Sequence, residues 1–169
     1  MAEFVLGGVL AQYPVGWLAD KFDRRWVLIG LSTAAIASCA ITVMVSGFGI
    51  FSIMLTAGLF GLTSFPIYSV AAAHAHDFAD ASERVELSAA LMFFFALGAI
   101  AAPLTASYMI DAYGPSALFV MIATAHGILI FFGLTRMFSR SAPEKRTPYI
   151  YAPRTSFLIG RLTGRFRDR

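Results

Sequence analysis

The sequence predicts an all-α membrane protein: a polytopic bundle of five transmembrane helices over residues 1–138, followed by a basic cytoplasmic tail over 139–169. Three observations predict it. First, 58% of the 169 residues are hydrophobic and only 14% charged, where a soluble domain carries about a quarter charged residues. Second, the apolar residues gather into runs at about 2–19, 26–48, 50–73, 87–109 and 115–138. At roughly 1.5 Å per residue, a run of about 23 residues makes a helix of about 34 Å, enough to cross a hydrocarbon core of roughly 30 Å. Third, all 13 Lys and Arg residues fall in alternate connections, on one side of the bundle, as the positive-inside rule requires of a membrane protein. A soluble core of buried helices is excluded, because connections this short leave almost no polar face to meet water.

The first run, 2–19, has no basic residue ahead of it and carries the acidic Glu3, so it is not expected to be a secretory signal. It holds Gln12, Tyr13 and Pro14 inside an apolar span. Proline frees a backbone carbonyl, and a membrane helix keeps such a break where a neighbour or a water-filled cavity satisfies it. Gln12 and Tyr13 are therefore candidate cavity residues beside a candidate hinge at Pro14, with ordinary interhelical hydrogen bonding as the plainer use of the same side chains. Residues 16–25, GWLADKFDRR, form a charged island between two apolar runs. The second run, 26–48, contains Cys39, the one cysteine, which excludes a disulfide and a cysteine metal site within the chain.

In the third run, 50–73, Thr63, Ser64, Pro66, Tyr68 and Ser69 cluster toward the charged side, and Pro66 is a candidate hinge. His74, His76 and Asp77 follow it. Their spacing does not set both histidines on one helical face, so a solvated loop is expected there and no metal site. The fourth run, 87–109, carries Gly98, Ala102 and Thr105 or Ala106 at helical spacing beside Pro103, a stripe that permits close helix contact. The fifth run, 115–138, places His126 deep in the membrane. An ionisable group there is a candidate proton site, although a neutral histidine can simply hydrogen-bond a neighbour. No Asp, Glu, Lys or Arg lies near the middle of any run.

From Ser139 onward the chain holds Pro143, Pro148 and Pro153 with eight basic and two acidic residues, the composition of a disordered tail. Leu158, Leu162 and Phe166 recur every fourth residue beside Arg161, Arg165 and Arg169, which suits a short interfacial helix on anionic lipid. Membrane lipids are the expected partner of this charge rather than nucleic acid. The basic side is expected to be cytoplasmic, as in a bacterial inner membrane. With five spans and a cytoplasmic C-terminus, Met1 begins outside, so either the first helix enters as a reverse anchor or further helices precede it; the second is the favoured expectation. No phosphate loop, nucleophile triad or metal-ligand helix is present, so no enzyme and no cofactor is expected.

The island Gly16-Trp17-Leu18-Ala19-Asp20-Lys21-Phe22-Asp23-Arg24-Arg25 resembles the cytoplasmic loop signature of the major facilitator superfamily (MFS), Gly-x-Leu-Ala-Asp-Arg/Lys-x-Gly-Arg/Lys-Arg/Lys. It departs at Asp23, where the family usually has glycine. The signature follows the second helix of each six-helix half, and four helices follow it here. The chain thus resembles helices 8 to 12 of a twelve-helix transporter, an incomplete half, with helices 2 to 6 as the other assignment. Gln12-Tyr13-Pro14-Val15-Gly16, Pro66-Ile67-Tyr68-Ser69, His74-Ala75-His76-Asp77 and Pro153-Arg154-Thr155 are similar to a bacterial YcaD-type permease subgroup.

The resemblance implies that Gly16, Asp20, Lys21, Arg24 and Arg25 form a conformational gate loop. In it, Asp20 would meet another helix's N-terminus or a nearby arginine, and the basic residues would meet lipid or acids of the opposite half. It implies that the third helix lines the central cavity, with Thr63, Ser64 and Tyr68 as candidate substrate contacts, and that Gly98 and Pro103 are hinge positions. The function so implied is the C-terminal portion of a secondary transporter moving an unidentified small solute by alternating access, with a missing N-terminal half as partner. The competing expectation is a stand-alone five-helix membrane interaction or assembly protein that transports nothing.

Overall fold

Two glycine stops and one side-chain cap set three of the four boundaries between the helices. Asp23, at φ −63° and ψ 121°, accepts a hydrogen bond from the Arg25 backbone N–H, satisfying a donor that the first helical turn leaves open. Gly49 at φ +96° and Gly114 at φ +87° occupy backbone that side chains rarely adopt, so each ends or starts a helix at little steric cost. The computed structural model describes residues 2–139. These form α1 (Ala2–Lys21), α2 (Arg24–Val45), a 3₁₀ turn (Ser46–Phe48), α3 (Ile50–His76), α4 (Arg84–Tyr113) and α5 (Ala117–Ser139). The predicted tail, including the interfacial helix around Leu158, Leu162 and Phe166, lies outside the described residues.

The fold is all-helical, and four of the helices among the described residues, α2 with its 3₁₀ extension, α3, α4 and α5, are long and apolar enough to cross a membrane. The sequence predicts five such spans, and α1 is the difference. Its 20 residues include Glu3, Gln12, Tyr13, Pro14, Asp20 and Lys21 beside three glycines and three alanines, which dilute its hydropathy although its length suffices. Helix α4 also begins three residues earlier than the predicted run and ends at Tyr113, where Gly114 stops it.

Helix α3 is the centre of the bundle. It packs most extensively along α1 and next along α2, α5 packs on α2, and α4 touches α5 and α3 only lightly. The α1–α3 seam is built on small residues. Gly7, Ala11, Val15 and Ala19 recur every fourth residue and are all buried, a ridge that lets two backbones approach closely. A Cβ at Gly7 would run into the Gly58 carbonyl, and one at Gly61 into the Phe4 carbonyl. Phe4 flanks this seam, stacked on Phe60 at 5.7 Å and edge-on to Phe65 at 4.9 Å. The buried core proper is small: Ala11, Val15, Ala19, Val27 and Val70, with Leu28 and Leu31 packed against it. No residue of α4 is buried.

Candidate functional site

The charged ends of α1, α2 and α3 meet around one arginine. Only Phe22 and Asp23 separate α1 from α2, so the first turn of α2 is held beside the last turn of α1. Arg24 is 1% exposed in this position. Its Nη1 donates to Asp77 Oδ1 at 2.6 Å and to the Ala73 carbonyl at 2.9 Å, and its Nη2 donates to Asp20 Oδ1 at 3.3 Å. The Asp77 side chain is 2% exposed and that of Asp20 45%. One guanidinium therefore links a carboxylate at the end of α1, a carboxylate at the C-cap of α3 and a carbonyl of the last α3 turn. The carbonyl and the helix-end dipole both favour a cation there, and the fork of the guanidinium suits it to bridging two acceptors.

The rest of the island is arranged around this contact. Arg25 lies against Asp23, with Nη2 to Oδ2 at 2.9 Å and Nε within 3.2 Å of both carboxylate oxygens. The residue that departs from the family signature thus caps α2 and anchors the neighbouring arginine. Lys21 Nζ sits 4.8 Å from the centre of the Trp17 ring, a cation–π contact at the membrane edge. Gly16 is buried. Arg24 meets its acids inside this chain, from α1 and α3, rather than only across a gap to another half.

Sequence reasoning missed the part played by Asp77. His74, His76 and Asp77 part company in the structure: His74 lies edge-on to Phe78 at 5.2 Å, His76 Nε2 is 3.3 Å from the Ser88 hydroxyl, and Asp77 is taken by Arg24. Asp77 is thus a buried ion-pair partner where a solvated loop was expected. The available signal was the presence of an acid just past the C-terminus of one helix and of an arginine at the start of another. That signal carries no pairing information until the helices are packed.

The candidate cavity residues do not converge on one space. Tyr13 is 85% exposed and points away from the α1–α3 seam, and Gln12 is half-buried beside it. Thr63 is buried with its hydroxyl donated back to Leu59 and Phe60 carbonyls of its own helix. The Ser64 hydroxyl is buried. Tyr68 reaches α4, donating to Met92 Sδ at 3.6 Å with its ring edge-on to Phe95 at 5.3 Å. The α-helices run unbroken through Pro14, Pro66 and Pro103. A Cβ on Gly98 would meet nothing within 4 Å. His126 is half-buried in α5, and its Nδ1 has no hydrogen-bond partner among the described residues.

A family model described as Major Facilitator Superfamily matches residues 1–168. The chain is similar to an uncharacterized MFS-type transporter of Yersinia pestis (strain Pestoides F), 31% identical over 150 residues that make up 88% of this chain and 36% of that protein. It is similarly related to the uncharacterized MFS-type transporter YcaD of Salmonella paratyphi B, 30% identical over 151 residues, again 88% of this chain and 36% of the relative. The chain thus spans about a third of the length of the curated relatives it matches. No solved structure matches it.

Proposed function

The chain belongs to the major facilitator superfamily, and from that membership we propose that it is the C-terminal portion, helices 8 to 12, of a secondary transporter that moves a small solute by alternating access. The observation that carries the reading is the Arg24 junction. It ties α1, α2 and α3 into a block at one membrane edge, while α4 buries none of its residues. A buried, charge-assisted contact at a helix end is stable when formed and costly when half-broken. Such a contact biases a conformational equilibrium only if it differs between the two states. In this reading Arg24, Asp20 and Asp77 hold the charged end closed in one state and loosen in the other. The four helices that follow the signature suit the remainder of either six-helix half, and the C-terminal half is the one we propose. The side bearing the basic loops is cytoplasmic, α1 is a spanning helix, and the solute path lies between this part and the rest of a longer transporter, with Gln12, Tyr13, Thr63, Ser64 and Tyr68 supplying polar groups toward it.

Cys39, the one cysteine, makes a direct test practicable. In the protein expressed from its native gene, with Cys39 and any cysteine outside these 169 residues changed to serine, Tyr13→Cys gives a single reporter on the open side of α1. Alternating access predicts labelling by a membrane-impermeant maleimide from both faces, in right-side-out and inverted vesicles, with Asp77→Asn changing the ratio between the faces. Labelling from neither face, or from one face whatever residue stands at 77, contradicts the proposal.

A further inference from the structure

A cleft of about 400 Å³ opens between α2, α3 and α5 at the charged end of the bundle. Arg25 and Arg136 stand at its rim, and Leu28, Ile29, Leu129 and the largely exposed Phe132 line its apolar part, with His74 and Phe78 on the α3 side. The volume is in the range of sites that hold small ligands. Its composition is that of neither a solute path nor a packing defect, because the walls are almost wholly hydrocarbon while the rim carries two guanidinium groups. Leu129 precedes Arg136 by seven positions, so at roughly 1.5 Å per residue the apolar part reaches about 10 Å inward from the charge.

We propose that this cleft is a binding site for one anionic glycerophospholipid of the membrane leaflet that faces the basic loops. Its phosphate lies at Arg25 and Arg136, and one acyl chain lies along Leu28, Ile29, Leu129 and Phe132. Both arginines stand at ends of membrane-length helices, Arg24–Phe48 and Ala117–Phe138, which sets them at headgroup depth on the same face. Basic pockets between helices at this depth select anionic headgroups. Asp23 fixes the Arg25 guanidinium through its own carboxylate and offsets its charge, so the charge of Arg136 is the one left to discriminate an anionic from a zwitterionic lipid. The chain's own tail is the other conceivable occupant. Its eight basic residues against two acidic ones oppose an arginine-rimmed mouth. The inference needs only that the chain lies in a bilayer and does not rest on the transport reading.

The test uses the full chain in detergent, titrated with phosphatidylglycerol or phosphatidylcholine and read as lipid adducts by native mass spectrometry. The first adduct is expected to favour phosphatidylglycerol by about fivefold, the discrimination a single basic side chain gives near a membrane surface. Arg136→Gln abolishes the preference and Arg136→Lys retains it. Gly133→Leu reduces adducts of both lipids, since a side chain at 133 grows toward Ile29, whose atoms stand 3.6 Å from a Cβ at that position. Gly133→Ala, which only reaches ordinary contact, is the folding control. Equal binding of the two lipids, or undiminished binding to Gly133→Leu, overturns the site. Loss of the phosphatidylglycerol adduct in millimolar inorganic phosphate shows a phosphate site rather than a lipid site and overturns it too. So does a photo-cross-linker at Phe132 that captures residues 140–169 in bilayer vesicles containing phosphatidylglycerol.

Discussion

At the scale of single residues, Arg24 is the costliest side chain to disturb. It is buried and charged, and removing a partner from such a group leaves an uncompensated charge, a loss of about 3–5 kcal/mol. The two carboxylates around it are unequal. Asp77 is almost wholly shielded and makes the short contact, whereas Asp20 is nearly half exposed and makes the long one. Asp77→Asn is therefore expected to destabilise the chain by about 3 kcal/mol, at the low end because the Ala73 carbonyl and Asp20 remain. Asp20→Asn should cost under about 1 kcal/mol, as for an exposed pair. Denaturant titration in detergent, followed by the helical signal, ranks the two, and equal losses would show that Arg24 does not discriminate between its acids. The sequence made Asp20, Arg24 and Arg25 legible because the signature is contiguous. Asp77 was not legible as their partner, since its 53-residue separation from Arg24 is bridged only when α3 packs beside α1 and α2.

At the scale of elements, hydropathy was enough to expect five helices, because a bilayer demands long apolar segments with internally satisfied backbones. Which helices touch was less legible. Small residues at helical spacing signal close approach without naming a partner, and the chain offers two such stripes. The one at Gly98 and Ala102 faces open space, whereas Gly7 of α1 and Gly61 of α3 each lie against the backbone of the other helix. A single methyl at Gly61 meets the backbone of Phe4, which cannot rotate away as a side chain can. Gly61→Ala should therefore force α1 and α3 apart and cost about 1–3 kcal/mol, measurable in the same detergent titration. A neutral Gly61→Ala would mean that the two helices slide freely past each other.

At the scale of the whole molecule, α4 is the anomaly. A helix of 30 residues with no buried residue gains little from its neighbours, and its apolar surface is left to lipid or to another polypeptide segment. The relatives supply a reason to expect the latter, since the chain covers 36% of their length. In the isolated chain, Gly98→Leu should change stability by no more than about 0.5 kcal/mol, as for a site that touches nothing. In a longer native polypeptide whose remaining helices pack on this stripe, the same change should lower the yield of folded protein in membranes. Equal tolerance in both settings would assign the α4 face to lipid.

The central position of α3 also imposes an order of events during synthesis. Helices α1 and α2 are neighbours in sequence, yet each touches α3 far more than it touches the other. When the ribosome has released α1, its glycine ridge has no surface to rest on, and the Gly58 and Gly61 that complete the seam lie some 50 positions downstream. At about 5–20 residues per second, that is a wait of roughly 3–10 seconds. During it, the one helix of the five that falls short of the apolar character of a membrane span must be kept in place by the insertion machinery or by other segments rather than by its final partner.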